Sequence, residues 1–324
     1  MRLLVTGGAG YIGSIVAQQL LGEGHEVVVL DDLSRGHRKA VPTGARLVEM
    51  SLLDDVGTRA ALDEGFDGVM HFAALALVAE SVAHPERYYR NNIVGALNLL
   101  DAMRETGVDR LVFSSTCAVY GEPDVVPMRE DIPTAPVNAY GNSKLAIDRM
   151  ISDESRAHGL GAASLRYFNV AGASGALGED HDPETHLIPL VLRAAAGRAE
   201  HVKVFGADYP TRDGTAVRDY IHVEDLGRAH MLALTATHPG RHRIYNLGTG
   251  DGSTVKEVID TARRVTGRDI PAVEEPRRAG DPAALVAASD RIRDELGWQP
   301  EKSLDDMIAD AWAWHQSHPD GYVD

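Results

Sequence analysis

The run Leu3-Leu4-Val5-Thr6-Gly7-Gly8-Ala9-Gly10-Tyr11-Ile12-Gly13-Ser14 decides how the rest of the chain reads. A short apolar stretch ends at glycines, and from Tyr11 to Leu21 apolar residues recur at helical spacing until Gly22. Val27 to Leu30 resumes as an apolar run closed by Asp31. The unit is strand, glycine loop, helix, strand. Glycines at 7, 10 and 13 in that setting let backbone amides and a helix N-terminus approach a pyrophosphate. Asp31 stands where a dinucleotide fold sets a carboxylate against the adenosine ribose hydroxyls. A carboxylate there repels a 2′-phosphate, which favours NAD over NADP.

The same alternation continues through strand-like runs at 46–49, 69–72, 111–114 and 162–168, with helical patterns at 86–105 and 140–158. Strands alternating with helices imply a parallel sheet covered on both faces, because parallel strands need crossover connections. Residues 1–170 are therefore expected to form a doubly wound α/β domain of Rossmann type that binds NAD. Beyond about residue 170 a loop rich in Gly, Asp and His precedes shorter elements. Helices are expected at 187–197, 223–235, 255–265, 290–296 and 304–315, and short strands at 202–205 and 244–247. Residues 171–324 read as a smaller α/β lobe for substrate, with elements free to interleave across the boundary.

The chain is long enough for two cores, with 324 residues of which 44% are hydrophobic and 25% charged. A formal charge of −16 repels phosphate backbones and anionic lipid. Neither nucleic acid nor a membrane is an expected partner. A small anionic substrate stays compatible, because a few placed arginines outweigh the mean field locally. The single cysteine, Cys117, permits no intrachain disulfide and suits a reducing compartment. No signal peptide or apolar span of bilayer length is read, so a cytoplasmic protein is expected.

Tyr140 and Lys144 are four apart on an expected helix and share a face. A phenol that exchanges a proton at neutral pH needs its acidity raised, and a fixed ammonium nearby is expected to do this. The hydroxyl run Ser114-Ser115-Thr116 ends an expected parallel strand, where ligands bind in open α/β sheets.

These residues resemble the extended short-chain dehydrogenase/reductase family, and more narrowly its UDP-galactose 4-epimerase branch. The likeness rests on residues 6–14, His71-Phe72-Ala73-Ala74, Phe113-Ser114-Ser115-Thr116, Tyr140-Gly141-Asn142-Ser143-Lys144 and Arg166-Tyr167-Phe168-Asn169. Val217-Arg218-Asp219-Tyr220-Ile221-His222-Val223, Asp208-Tyr209-Pro210-Thr211 and the 276–282 run add to it. The resemblance implies that Tyr140 is the acid/base, Lys144 its partner and Thr116 a hydroxyl holding the sugar. It implies an NAD path along Gly7, Gly10, Tyr11, Ile12, Gly13, Asp31, Ser51, Leu52, Phe72, Ala73, Ala74, Asn91, Ser114, Tyr140, Lys144 and Tyr167. It implies a UDP-sugar site on Thr116, Tyr140, Asn169, His186, Leu187, Val204, Phe205, Arg218, Arg278, Asp281 and Leu285. Leu285 stands at the position that sets room around the sugar C2 substituent. A homodimer is implied, and no metal is expected.

The chemistry implied is conversion between UDP-galactose and UDP-glucose through a transient 4-keto sugar, with NAD regenerated each cycle. Related 4,6-dehydratases use an Asp-Glu pair after the active-site Thr, and here Cys117 and Ala118 stand in those places and cannot eliminate water. Epimerases of N-acetylated UDP-hexosamines, UDP-glucuronate or UDP-pentoses differ only in pocket contacts. A regulator that binds NAD without chemistry would have no use for the Tyr140 and Lys144 pair.

Overall fold

The computed structural model describes residues 1–278 and 280–323, so Ala279 of the 276–282 run lies outside the described residues. Strands β1 (Arg2–Thr6), β2 (Glu26–Asp31), β3 (Arg46–Glu49), β4 (Gly68–His71), β5 (Arg110–Thr116) and β6 (Gly161–Tyr167) build the first half. Between them run α1 (Tyr11–Gly22), α2 (Asp55–Leu62), α3 (Val78–Ala83), α4 (Pro85–Tyr88), α5 (Gly95–Thr106) and α6 (Ala139–His158). The second half holds β7 (Asn169–Ala171), α7 (Leu187–Ala195), β8 (Val202–Phe205), β9 (Val217–Arg218), β10 (Tyr220–His222) and α8 (Val223–Thr235). It continues with β11 (His242–Leu247), β12 (Ser253–Thr254), α9 (Val255–Thr266), β13 (Ala272–Glu275), β14 (Ala284–Leu285), α10 (Asp290–Leu296) and α11 (Leu304–Ser317).

Seven parallel strands form one sheet in the order β3-β2-β1-β4-β5-β6-β11. The order reverses between β1 and β4, which opens a crevice at the carboxyl ends of the strands. Side chains alternate across the sheet. Leu3 and Val5 point to one face with Val16, Ala17, Leu226 and Ala233 of α1 and α8. Leu4 points to the other, with Leu99, Met103 and Ile147 of α5 and α6. Burial on both faces explains why the strands read as unbroken apolar runs.

Two sequence expectations need correction. The 244–247 strand, read as part of the smaller lobe, instead forms the edge of the main sheet beside β6. Helix α8 covers the same face as α1, so the main layer draws on residues beyond 170. A short apolar run carries no signal of which sheet it joins. The 86–105 pattern, read as one helix, is divided into α4, a π-helical turn at Tyr89–Val94 and α5. Such turns concentrate at functional sites.

The smaller lobe has its own core of Ile188, Val191, Leu192, Val202, Val204, Val258, Ile259, Met307 and Ile308. Among the described residues no helix is long and apolar enough to cross a membrane.

Candidate active site

The glycine loop is shaped by close approach. A Cβ on Gly13 would stand 2.2 Å from the Gly7 carbonyl oxygen, so no side chain fits there. Gly10 differs, because a Cβ there would meet only that same oxygen at 3.4 Å, leaving room on the loop's outer side. Gly10 also caps α1 without any side chain on the first helical amides. Those free donors and the helix dipole suit a pyrophosphate. Asp31, at the end of β2, accepts from the amides of Ala9 at 3.0 Å and Leu33 at 2.9 Å. Burial pushes its carboxyl up, and the two amides oppose the rise.

The expected neighbours gather on this loop. The Met50 amide donates to the Asp31 carbonyl at 3.0 Å, which brings Ser51 and Leu52 alongside. The Phe72 and Ala73 amides donate to the Thr6 carbonyl at 2.9 and 3.1 Å, laying the segment with Ala74 against Gly7. Asn91 lies on the π-helical turn, and its amide donates to the Asn92 oxygen at 3.1 Å. Tyr11 and Ile12 open α1, where the Tyr11 hydroxyl donates to the Gly172 carbonyl at 2.7 Å and ties the loop to the second half. Room at Gly10, uncapped amides and the Asp31 carboxylate at the end of β2 together fit NAD.

The second cluster forms at the carboxyl end of β5. Asn138 caps α6 by accepting the Gly141 amide at 2.8 Å, which sets Tyr140 and Lys144 on the first turns. Lys144 is buried and donates to the Ser114 carbonyl at 2.7 Å, with its ammonium 4.7 Å from the centre of the Phe113 ring. The Ser114 hydroxyl bonds the Tyr167 hydroxyl. Thr116 ends the strand beside them and accepts the Ala118 amide at 3.2 Å.

Here an expectation about acidity fails. Burial pushes the Tyr140 phenol up to about 12, and hydrogen bonding with Thr116 only partly opposes it. Lys144 does not lower it; its ammonium is aimed at the Ser114 carbonyl instead. Burial also pulls Lys144 down to about 7, against the pull of Asp148. His71, next to the same ring system, is held neutral by burial at about 3. Desolvation disfavours every charged form here.

Asp148 escaped the sequence reading, although it follows Lys144 by one more helical turn and shares the face of Tyr140. Its Oδ2 accepts from Arg166 at 2.8 and 3.1 Å and from Ser115 at 3.2 Å, while its Oδ1 is buried without a partner. Arg166 also donates to the Tyr120 hydroxyl at 3.0 Å. Asn92 was missed as well. Its side chain bonds both backbone groups of Leu75 and the Ser143 hydroxyl, pinning the 73–77 loop to α6. Only long-range contact identifies it.

The smaller lobe supplies cations and a ring. Arg218 pairs with Asp281 and donates to the Val217 carbonyl at 2.7 Å. Its charge favours ionisation of the Cys117 thiol, which burial pushes up to about 12, so the guanidinium bears on the end of β5. The Arg278 guanidinium sits 3.8 Å from the centre of the Phe205 ring. The Asn169 amide donates to the Asp219 carbonyl at 3.0 Å. Leu285 packs with Cys117 and Phe168 against Val119, Tyr120 and Leu145. Val204 is a correction: its side chain is buried in the lobe core, so only its backbone could meet a ligand. His186 precedes Leu187 at the start of α7, with its Nδ1 2.8 Å from Glu179 and 3.0 Å from Glu184.

A glycine-loop cradle at the β1/β4 switch point, with a half-buried Tyr140 and a buried Lys144 at the end of β5, is the pattern of one enzyme class. The chain belongs to the NAD dependent epimerase/dehydratase family, which it matches over residues 3–248. It is similar to a UDP-glucose 4-epimerase of Corynebacterium glutamicum, 57% identical over 97% of this chain and 95% of that one. The structure of a UDP-glucose 4-epimerase from Brucella ovis in complex with NAD covers 96% of this chain and 97% of its own, at 45% identity and a TM-score of 0.93. That of Bifidobacterium longum, in complex with NAD+ and UDP, covers 99% and 100% at 37% identity and a TM-score of 0.94.

Proposed function

We propose that this protein interconverts UDP-galactose and UDP-glucose by inverting the sugar C4 centre. The observation that carries the proposal is the gathering of Tyr140, Lys144 and Thr116 at the end of β5, where the Arg218 charge bears on the neighbouring Cys117. NAD bound along the glycine loop would accept the C4 hydride, return it, and add positive charge near the phenol. Tyr140, as phenolate, takes the proton of the 4-hydroxyl and later gives it back. Thr116 holds that oxygen by hydrogen bonding. Lys144, fixed on the Ser114 carbonyl, orients the end of β5 beside the phenol. Arg218 and Arg278 suit a diphosphate, and holding it there leaves the 4-keto sugar free to turn before hydride returns to its other face.

Incubation of purified protein with UDP-galactose, UDP-glucose, their N-acetyl forms, UDP-glucuronate and UDP-pentoses, followed by separation of C4 epimers, tests this. Conversion between the galactose and glucose forms supports it. Conversion of another pair alone would reassign the substrate, and no conversion would leave an NAD-binding protein without this chemistry. A homodimer is part of the proposal, supported by exposed Tyr89, Val94 and Leu97 on the π-helical turn and α5. Sedimentation equilibrium checks it. The lone Cys117 supports a cytoplasmic setting.

A further inference from the structure

The loop between β7 and α7 gathers four potential ligands, of which only His186 also belongs to the UDP-sugar site that the resemblance implies. Glu179, His181, Glu184 and His186 present one ligand atom each, all within 4.8 Å of one another. The Glu179 Oε1 lies 3.2 Å from His181 Nδ1 and 2.8 Å from His186 Nδ1. The Glu184 oxygens lie 3.0 Å from His186 Nδ1 and 3.8 Å from His181 Nδ1. Four ligands about 2.1 Å from a tetrahedral ion stand about 3.4 Å apart, which falls inside this spread. Both carboxylate side chains are more than nine-tenths buried, at 7% and 1% exposure. His181 Nδ1, itself sealed from solvent, has no directed hydrogen bond despite its nearness to Glu179.

We propose that Glu179, His181, Glu184 and His186 bind one zinc-like divalent cation in a closed four-coordinate site. Two imidazoles and two carboxylates form a donor set suited to zinc, and the ion's charge balances the two buried carboxylates. Four protein ligands leave no open position, so the ion is structural. Its effect is on the loop: His186 begins α7, and the His181 ring lies 6.4 Å from the Tyr11 ring of the glycine loop. The ion therefore locks the second half of the chain against the first.

The test uses tag-free, full-length protein stripped with a chelator and then titrated with Zn2+ against a chromogenic competitor. One zinc per chain and a raised Tm are expected. Co2+ in the same protein should give the intense visible bands of four-coordination. His181→Gln should weaken zinc binding by more than about 100-fold, beyond what losing an outer-shell partner costs. Absence of stoichiometric uptake at micromolar zinc, a pale six-coordinate cobalt spectrum, or unchanged affinity in His181→Gln would overturn the proposal. The cobalt spectrum decides the matter on the unaltered chain if the variant does not fold.

Discussion

The end of β5 and the loop before α7 both draw ionisable groups away from water, yet their cations shift in opposite directions. At Lys144 and His71 desolvation acts with little opposing charge, and both cations are driven toward neutrality, at about 7 and about 3. At His181 and His186 desolvation also favours the neutral rings, but Glu179 and Glu184 outweigh it, holding them at about 9 and about 10. Both carboxyls lie below their ordinary range, because the imidazoles outweigh their burial. Burial therefore sets the sign at Lys144 and His71, and counter-charge within a few ångströms reverses it at His181 and His186. The first region disfavours charge, while the second holds it in place.

The largest effect should come from the Tyr140 hydroxyl. Tyr140→Phe should lower turnover by about 10²–10⁴-fold with NAD still bound, measured by epimer formation and by cofactor released on denaturation. Retained turnover would remove Tyr140 from the chemistry. Next, Asp148→Asn takes the counter-charge from Arg166, a pair at 2.8 Å whose side chains are 4% and 3% exposed. Leaving that guanidinium buried alone should cost about 3–5 kcal/mol of stability by denaturant unfolding. A loss below about 1 kcal/mol would mean the pair is not what satisfies Arg166.

A smaller change of opposite sign is expected at Lys144. Between pH 7 and 10.5 the unfolded chain keeps a proton that the folded chain releases, so the penalty of this lysine fades as pH rises through that window. Lys144→Met should stabilise the protein at pH 7 by about 2 kcal/mol, the lost bond to Ser114 offsetting part of the gain, while turnover falls. Equal or lower stability would show that the ammonium is better satisfied than its burial implies.

The smallest effect lies in the loop. In chelator-treated protein, His181 and His186 have folded values above the ordinary 6.5, so their contribution is complete below that pH and is lost as pH rises through about 9 to 10. His181→Gln should flatten the fall in denaturant midpoint between pH 6.5 and 9. An unchanged slope would mean that the loop's charges are set by other neighbours.

The sequence by itself determined the doubly wound layer, the glycine loop with Asp31, and the Tyr140 and Lys144 face. Each depends on spacing within one strand or helix, and spacing survives in a linear chain. Bounds such as Arg46–Glu49 and Val223–Thr235 follow the periodicity residue for residue. Tertiary structure alone decided that the 242–247 strand joins the main sheet, that Asn92 pins the 73–77 loop, and that Val204 faces a core. It also decided the state of the phenol. Acidity depends on how much water is removed and which charges remain nearby, and both are sums over atoms far apart in sequence. A motif can name the groups that meet, but only the packed arrangement determines which of them keeps its proton.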